Sequence, residues 1–291
     1  MNKDSLRGSI YVALGASSYD ILATFVKLAY GDHFNTAEIT VSQFVIGLAA
    51  LFVLLLVDQK RSTDRNMAGG KGNVLKLILG GTSIGLTSIF FYSAVELIPV
   101  GLGIVLLMQS TWMSVVLELL LQKKAPDSGK VISTLIILAG TALAVDVFSN
   151  SAAVDWEGVI YGMLSALSYT VCMFASNNIA IGLPSLIRSF YLVLGGLIIV
   201  LIFSFQTITG GFSTAVFYTW GPVVAMFGTI LPPLLFTRGM PLTGIGLGAI
   251  IASIELPVSI VFAYFVLGET ITLIQGAGVA MIIAAVVIAN H

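Results

Sequence analysis

The sequence predicts an all-α integral membrane protein, with ten transmembrane helices in two inverted five-helix repeats and both termini cytoplasmic. Three observations predict it. The 291 residues are 57% hydrophobic and only 9% charged, whereas about a quarter of the residues of a soluble domain carry charge. The segment Gly8 to Asp20, GSIYVALGASSYD, returns from Gly158 to Thr170 as GVIYGMLSALSYT, with seven of thirteen positions identical. Such self-similarity means that each copy adopts one fold and the two pack together. Finally, the basic residues gather on one side of the spans that hydropathy defines.

A bilayer core needs roughly 20 apolar residues per helix. The first candidate, 8–30, follows Lys3 and Arg7 and superficially resembles a signal peptide. It is too long for one and contains Asp20 and Lys27, so it is expected to stay as the first span. The second, 36–57, ends in a charged loop from Asp58 to Asn73. That loop holds Gly69, Gly70 and Gly72, yet the GxxxxGK[ST] pattern of a phosphate cradle is absent, so ATP coupling has no support. The third span, 73–95, carries Gly81 and Gly85, a small-xxx-small pair that lets helix backbones approach. Spans at 100–121, 129–148, 156–180 and 184–206 follow. The eighth, 218–238, contains Pro232 and Pro233 and is expected to kink. The ninth, 243–266, opens with Gly244, Gly246 and Gly248 and holds Glu255 two residues before Pro257; the tenth is 272–290.

With the amino terminus inside, Lys3, Arg7, Lys60, Arg61, Arg65, Lys71, Lys76, Lys123, Lys124, Lys130, Arg188 and Arg238 all fall at the cytoplasmic face. Twelve of thirteen basic residues thus obey the positive-inside rule, and only Lys27 departs. The other face collects Asp32, Glu38, Glu96, Asp146, Asp155, Glu157 and Glu269. Five spans per half is an odd number, so residues 151–291 enter the membrane from the side opposite to residues 1–150. That inverted symmetry is the one expected for alternating access. A second correspondence, offset by 145 residues, aligns Gly101 and Gly103 with Gly246 and Gly248, and Ser110-Thr111-Trp112 with Glu255-Leu256-Pro257.

Other function classes are excluded by the same residues. A net charge of −1 leaves no basic footprint for nucleic acid. Cys172 is alone, so no internal disulfide forms, and His33 and His291 have no metal-ligand spacing to a further candidate. No HExxH or catalytic carboxylate pair is present, so neither an enzyme nor a cofactor or metal is expected.

An ionisable group at mid-membrane costs about 2.5–3.5 kcal/mol on insertion scales and is a functional candidate by default. Asp20 lies halfway along the first span and Glu255 halfway along the ninth. Pro257 removes a backbone donor and opens the helix beside that second carboxylate. Both acids are expected to bind substrate or coupling ion, with Tyr19, Tyr92, Gln109, Trp112 and Tyr169 as candidate cavity lining. Pro232, Pro233 and Pro257 are candidate helix breaks, and Arg188 and Arg238 candidate gates at the cytoplasmic side. Lys27 is expected to reach the outer interface.

These residues resemble the drug/metabolite transporter superfamily in its EamA-type branch. The resemblance rests on the run Gly158 to Tyr169, on Gly246-Leu247-Gly248-Ala249, Glu255-Leu256-Pro257 and Leu267-Gly268-Glu269-Thr270, and on Gln275-Gly276-Ala277-Gly278. It covers both halves as two units of about 140 residues each. The first half departs from the pattern, with Gln122-Lys123-Lys124 in place of Leu-Gly-Glu and Asp20 where its mate has Thr170. The resemblance implies a secondary transporter of the cytoplasmic membrane. The two acids favour a small polar metabolite with a positive group, an amino acid or amine, exported with protons as a candidate coupling ion. The alternatives are an importer or facilitator of a nucleobase, choline-like cation or sugar, a multidrug pump, and a non-transporting assembly subunit. A monomer or homodimer in the lipid bilayer is expected.

Overall fold

The computed structural model describes residues 3–61, 71–123, 127–144, 155–267 and 272–289. Among them every regular element is helical and no strand occurs. The order is α1 (Lys3–Gly31), α2 (Thr36–Arg61), α3 (Lys71–Leu97), α4 (Val100–Leu107), α5 (Ser110–Gln122), α6 (Ser128–Ala144), α7 (Trp156–Asn178) and α8 (Ser185–Phe203). Then come α9 (Phe205–Gly210), a 3₁₀ turn (Thr214–Phe217), α10 (Gly221–Ala225), a π turn (Met226–Ile230), α11 (Leu231–Thr243), α12 (Ile245–Ala252), α13 (Glu255–Leu267) and α14 (Leu273–Ala289).

Among the described residues, eight helical stretches are long and apolar enough to cross a membrane, from Lys3–Gly31 to Ile245–Phe262. Two more, Ser128–Ala144 and Leu273–Ala289, are apolar but shorter, at 17 residues each. The sequence placed spans at all ten. Arg65, Lys124, Asp146 and Glu269 lie outside the described residues, as does the Gly268–Thr270 part of the last motif.

Local chemistry starts several of these helices. Asn35 and Glu38 cap α2 reciprocally: the Glu38 amide donates to Asn35 Oδ1 (2.9 Å) and the Asn35 amide to Glu38 Oε2 (3.0 Å). Thr272 and Gln275 do the same for α14. Asp155 caps α7 by accepting from the amides of Glu157 and Gly158. The acids expected on the outer face are tied to loops there. Glu38 Oε1 accepts from the Ser213 amide (2.7 Å), Asp32 from Trp220 Nε1 (2.8 Å) and Glu96 from Thr36 (3.2 Å).

Glycine seams bring the helices together. Gly81 of α3 meets α8 so closely that an added Cβ would overlap the Leu192 carbonyl, and Gly195 stands likewise against Ile78. Gly8 and Gly239 form the same contact between α1 and α11, and Gly140 and Gly278 between α6 and α14. Lipid offers no hydrophobic drive for helix association, so close backbone contact supplies it through dispersion. The packing role expected for Gly81 and Gly85 therefore holds, Gly85 lying against Gly196. Along these seams α3 packs on α7 and α8, α1 on α11 and α13, α5 on α12, and α6 on α14. One continuous buried cluster runs through the middle, from Val12 of α1 to Ile282 of α14.

Candidate functional site

A narrow cavity of about 20 Å³ opens between α1, α3, α7 and the π turn with α11. Tyr19, Thr87, Tyr169, Cys172, Pro232, Pro233 and Phe236 line it. Tyr19 and Tyr169 occupy the same position in the two copies of the repeated segment. Their rings stack on each other, 5.8 Å apart and 12° from parallel, and Phe236 leans on Tyr169 at 6.3 Å.

The prolines shape the wall. Pro232 and Pro233 have no amide hydrogen for the carbonyls of Gly228 and Thr229, four residues earlier. The chain answers with the π turn Met226–Ile230 immediately before them. Ser18 of α1 donates to the Phe227 carbonyl (3.2 Å), so a neighbouring helix helps to satisfy that turn. Where the sequence expects a kink at Pro232 and Pro233, the structure has a π bulge in the helix ladder just before them.

Glu255 begins α13 immediately after a break from α12, and only 1% of its surface is exposed. Tyr169 donates to its Oε2 at 3.4 Å. The stacked tyrosines therefore connect the cavity to this carboxylate. Across the break the ladder shortens: Ile254 donates to the Ile251 carbonyl and Leu256 to that of Ser253, each three residues back. The side chain of Ser253 fills the Ile250 carbonyl (2.6 Å). Pro257 is buried in the first turn of α13.

The first half contains the same break. There Gln109 donates to the Leu106 carbonyl and Thr111 to that of Met108. Gln109 Nε2 fills the Val105 carbonyl (3.1 Å), while its Oε1 accepts from Trp112 Nε1 (3.0 Å). Gln109 and Trp112 are thus engaged with each other at the α4–α5 break. Trp112 is 37% exposed, and neither residue lines the cavity described above.

Arg188 has a specific architectural task. It is 2% exposed, and its guanidinium donates to the carbonyls of Ile179 (3.0 Å), Thr237 (2.7 Å) and Ser176 (2.5 Å). Ser176 and Ile179 lie at the end of α7, beyond reach of further helical amides. The Thr237 carbonyl loses its ordinary donor because Pro241 stands four residues on. One side chain therefore closes three open acceptors on two helices. Arg238 is exposed and bonds Ser185 Oγ at 2.9 Å.

A family model described as the EamA-like transporter family matches residues 6–145 and again 156–290. The chain belongs to the EamA-like transporter family. It is 25% identical over 283 residues to a protein of Archaeoglobus fulgidus named only as an uncharacterized transporter, covering 97% of this chain and 96% of that one. A solved crystal structure, 15% identical, superimposes with a TM-score of 0.76 over 99% of this chain and 97% of its own, which extends the likeness to the fold. The chain is accordingly a multi-pass membrane protein of a transport family.

Within this EamA-type protein the structure brings Tyr19, Tyr169, Pro232 and Pro233 together at the cavity, with Glu255 attached through Tyr169. Tyr92 is fully buried beside them, donating to Gln43 Oε1 at 2.7 Å. Asp20 belongs to α1, and its side chain lies outside the described residues. Sequence reasoning missed Gln43, Thr87 and Phe236, for which a single uncharged residue on an apolar span gives no signal. It also missed Glu118, 7% exposed, which pairs with Lys130 at 2.6 Å and packs against Gly246. That acid was legible, being the one carboxylate inside an otherwise uncharged fourth span.

Proposed function

We propose that this protein is a secondary transporter that moves a small polar metabolite bearing a positive group, an amino acid or amine, by alternating access. The observation that carries the reading is Glu255: a carboxylate 1% exposed, at a helix break, tied through Tyr169 to an aromatic-walled cavity. A carboxylate in low dielectric attracts a cation or proton strongly, because burial penalises its charge. Asp20 is the second acid of this mechanism, with protons as the coupling ion and export across the cytoplasmic membrane as the direction.

The reading includes ten membrane-crossing helices in two inverted sets of five, residues 1–150 and 151–291, with both termini cytoplasmic. Supporting it, α4 and α12 have eight residues each and α5 and α13 thirteen each, and the paired breaks have matching bonds from Gln109 and Ile254, Thr111 and Leu256, and Met113 and Val258 at an offset of 145 residues. The narrowness of the cavity fits a contracted state that must open to load. As a monomer or homodimer it needs no cofactor for this cycle.

Purified protein in proteoliposomes tests the proposal. An imposed proton gradient is expected to drive uphill movement of labelled amino acids or amines by the wild type. Asp20→Asn and Glu255→Gln are each expected to abolish it while the variants keep the wild-type unfolding profile. Full uphill transport by both variants would defeat the reading.

A further inference from the structure

Away from the cavity, Glu118 and Lys130 sit at a joint between the two halves of the chain. Glu118 is a carboxylate 7% exposed, near the end of α5. Its Oε2 accepts from Lys130 Nζ of α6 at 2.6 Å, and its Oε1 from Gln122 Nε2 at 3.4 Å. The same carboxylate stands against the start of α12 in the second half. An added Cβ on Gly246 would overlap Oε2, and one on Gly244 would come to 3.2 Å from Oε1. Gly244 also turns the chain from α11 into α12 with φ +82°, a conformation that favours glycine. Two glycines thus leave the room that the acid fills. The first amides of a helix lack intrahelical partners and carry partial positive charge, which favours a carboxylate beside them. Val115, Ile137, Ile250 and Ala285 continue the joint as an apolar cluster of their own, drawn from α5, α6, α12 and α14.

The opposite end of the bundle lacks this joint. α5 packs along α12, but their repeat-mates α13 and α4 make no comparable contact among the described residues. The offset of 145 residues puts Ala263 and Gln275 where the first half has Glu118 and Lys130, so no ion pair is available there. Two halves of one fold that were closed alike at both ends would pair α13 with α4 as they pair α5 with α12. Joined at one end alone, they have the one-sided closure that alternating access requires. The joined end carries Lys123, Lys130 and Arg238, and is the cytoplasmic one in the orientation proposed above.

We infer that Glu118, held by Lys130, is the latch of the cytoplasmic gate: it keeps α5 and α6 of the first half on the start of α12, and its release lets the cavity open to the cytoplasm. The inference rests on the alternating-access reading above and adds to it residues remote from the cavity. Glu118 and Lys130 touch no substrate. They are positioning residues that act through α12 and set which side the cavity faces. Removing either partner leaves the other charge buried without its counterpart, which favours the separated arrangement where water reaches it.

The native cysteine serves as reporter, since Cys172 lines the cavity and is the single cysteine of the sequence. Full-length protein in right-side-out and in inverted membrane vesicles is treated with a membrane-impermeant maleimide, and the labelling rate is read from each side. Glu118→Gln and Lys130→Gln are each expected to speed labelling from the cytoplasmic side at least about tenfold and to slow it from the outside. Lys130→Arg keeps the charge and is expected to label like the wild type. A purely structural pair would, when broken, lower the melting temperature and speed labelling from both sides alike. Such a two-sided gain would overturn the latch, as would unchanged labelling in both Glu118→Gln and Lys130→Gln. Labelling needs no substrate. One-sided opening without uphill transport of amines or amino acids would therefore keep the latch and defeat the substrate class proposed above. Uphill transport by the wild type with unchanged labelling in the variants would sink the latch alone.

Discussion

The α4–α5 and α12–α13 pairs are the same broken helix built with different residues. Gln109 donates to Leu106, Thr111 to Met108 and Met113 to Gln109; at the matching places Ile254 donates to Ile251, Leu256 to Ser253 and Val258 to Ile254. At equivalent carbonyls a side chain adds a bond in each half, Gln109 to Val105 and Ser253 to Ile250. Yet Pro257 stands in one break and Trp112 at the corresponding position of the other. The proline is therefore not what makes the break. Packing of the two halves demands it, and each half satisfies the freed acceptor with whatever polar side chain it has.

What separates the two breaks is charge. One carries a buried carboxylate, Glu255; the other has Ser110 at that place and a half-exposed tryptophan next to it. If function resides in that difference, Glu255→Gln gives the largest effect of all. Transport in proteoliposomes is expected to fall at least about a thousandfold, or about 4 kcal/mol of barrier, without loss of fold.

Arg188 answers the same need at a third interruption, the one Pro241 creates in α11. Arg188→Lys keeps the charge but cannot span three carbonyls. It is expected to destabilise the protein by about 3 kcal/mol, read as unfolding in detergent, because each lost bond to a charged donor is worth about 1.5–3 kcal/mol. A silent Arg188→Lys would show that the open acceptors do not matter.

Gln109→Leu unfills the Val105 carbonyl at an intermediate depth, and a loss of about 1 kcal/mol is expected, with the transport rate nearly unchanged. The smallest effect is expected where intuition expects a large one. Pro257→Ala is expected to shift stability by less than about 1 kcal/mol and to leave transport within about threefold, since the other half breaks without proline. A healed helix and dead transport in Pro257→Ala would return the break to local sequence chemistry.

Much of this was legible in the residues. Apolar runs separated by charge place each crossing segment, because lipid forces every backbone group to bond within its own helix. The offset of 145 residues already aligned the two breaks, and Pro232 and Pro233 announced the distorted helix. Site assignment was less complete. Symmetry with Pro257 makes Trp112 a candidate for the cavity; in the structure Trp112 and Gln109 bond each other at the break. Arg188 read as a gate because a basic residue near a span end also sets orientation; its three acceptors come from helices nine to 49 residues away in sequence.

By itself the sequence determined membrane residence, helical character, the duplication and the location of an acid at a helix break. These follow from hydropathy, from self-similarity and from proline's missing donor, all of them local properties. Only the tertiary structure decided which open carbonyls receive which side chains, that Tyr19 stacks on its own repeat-mate Tyr169, and that Tyr92 bonds Gln43 of another helix. Hydrogen bonds act over about 3 Å, and which groups come that close is set by how glycine seams bring distant helices together.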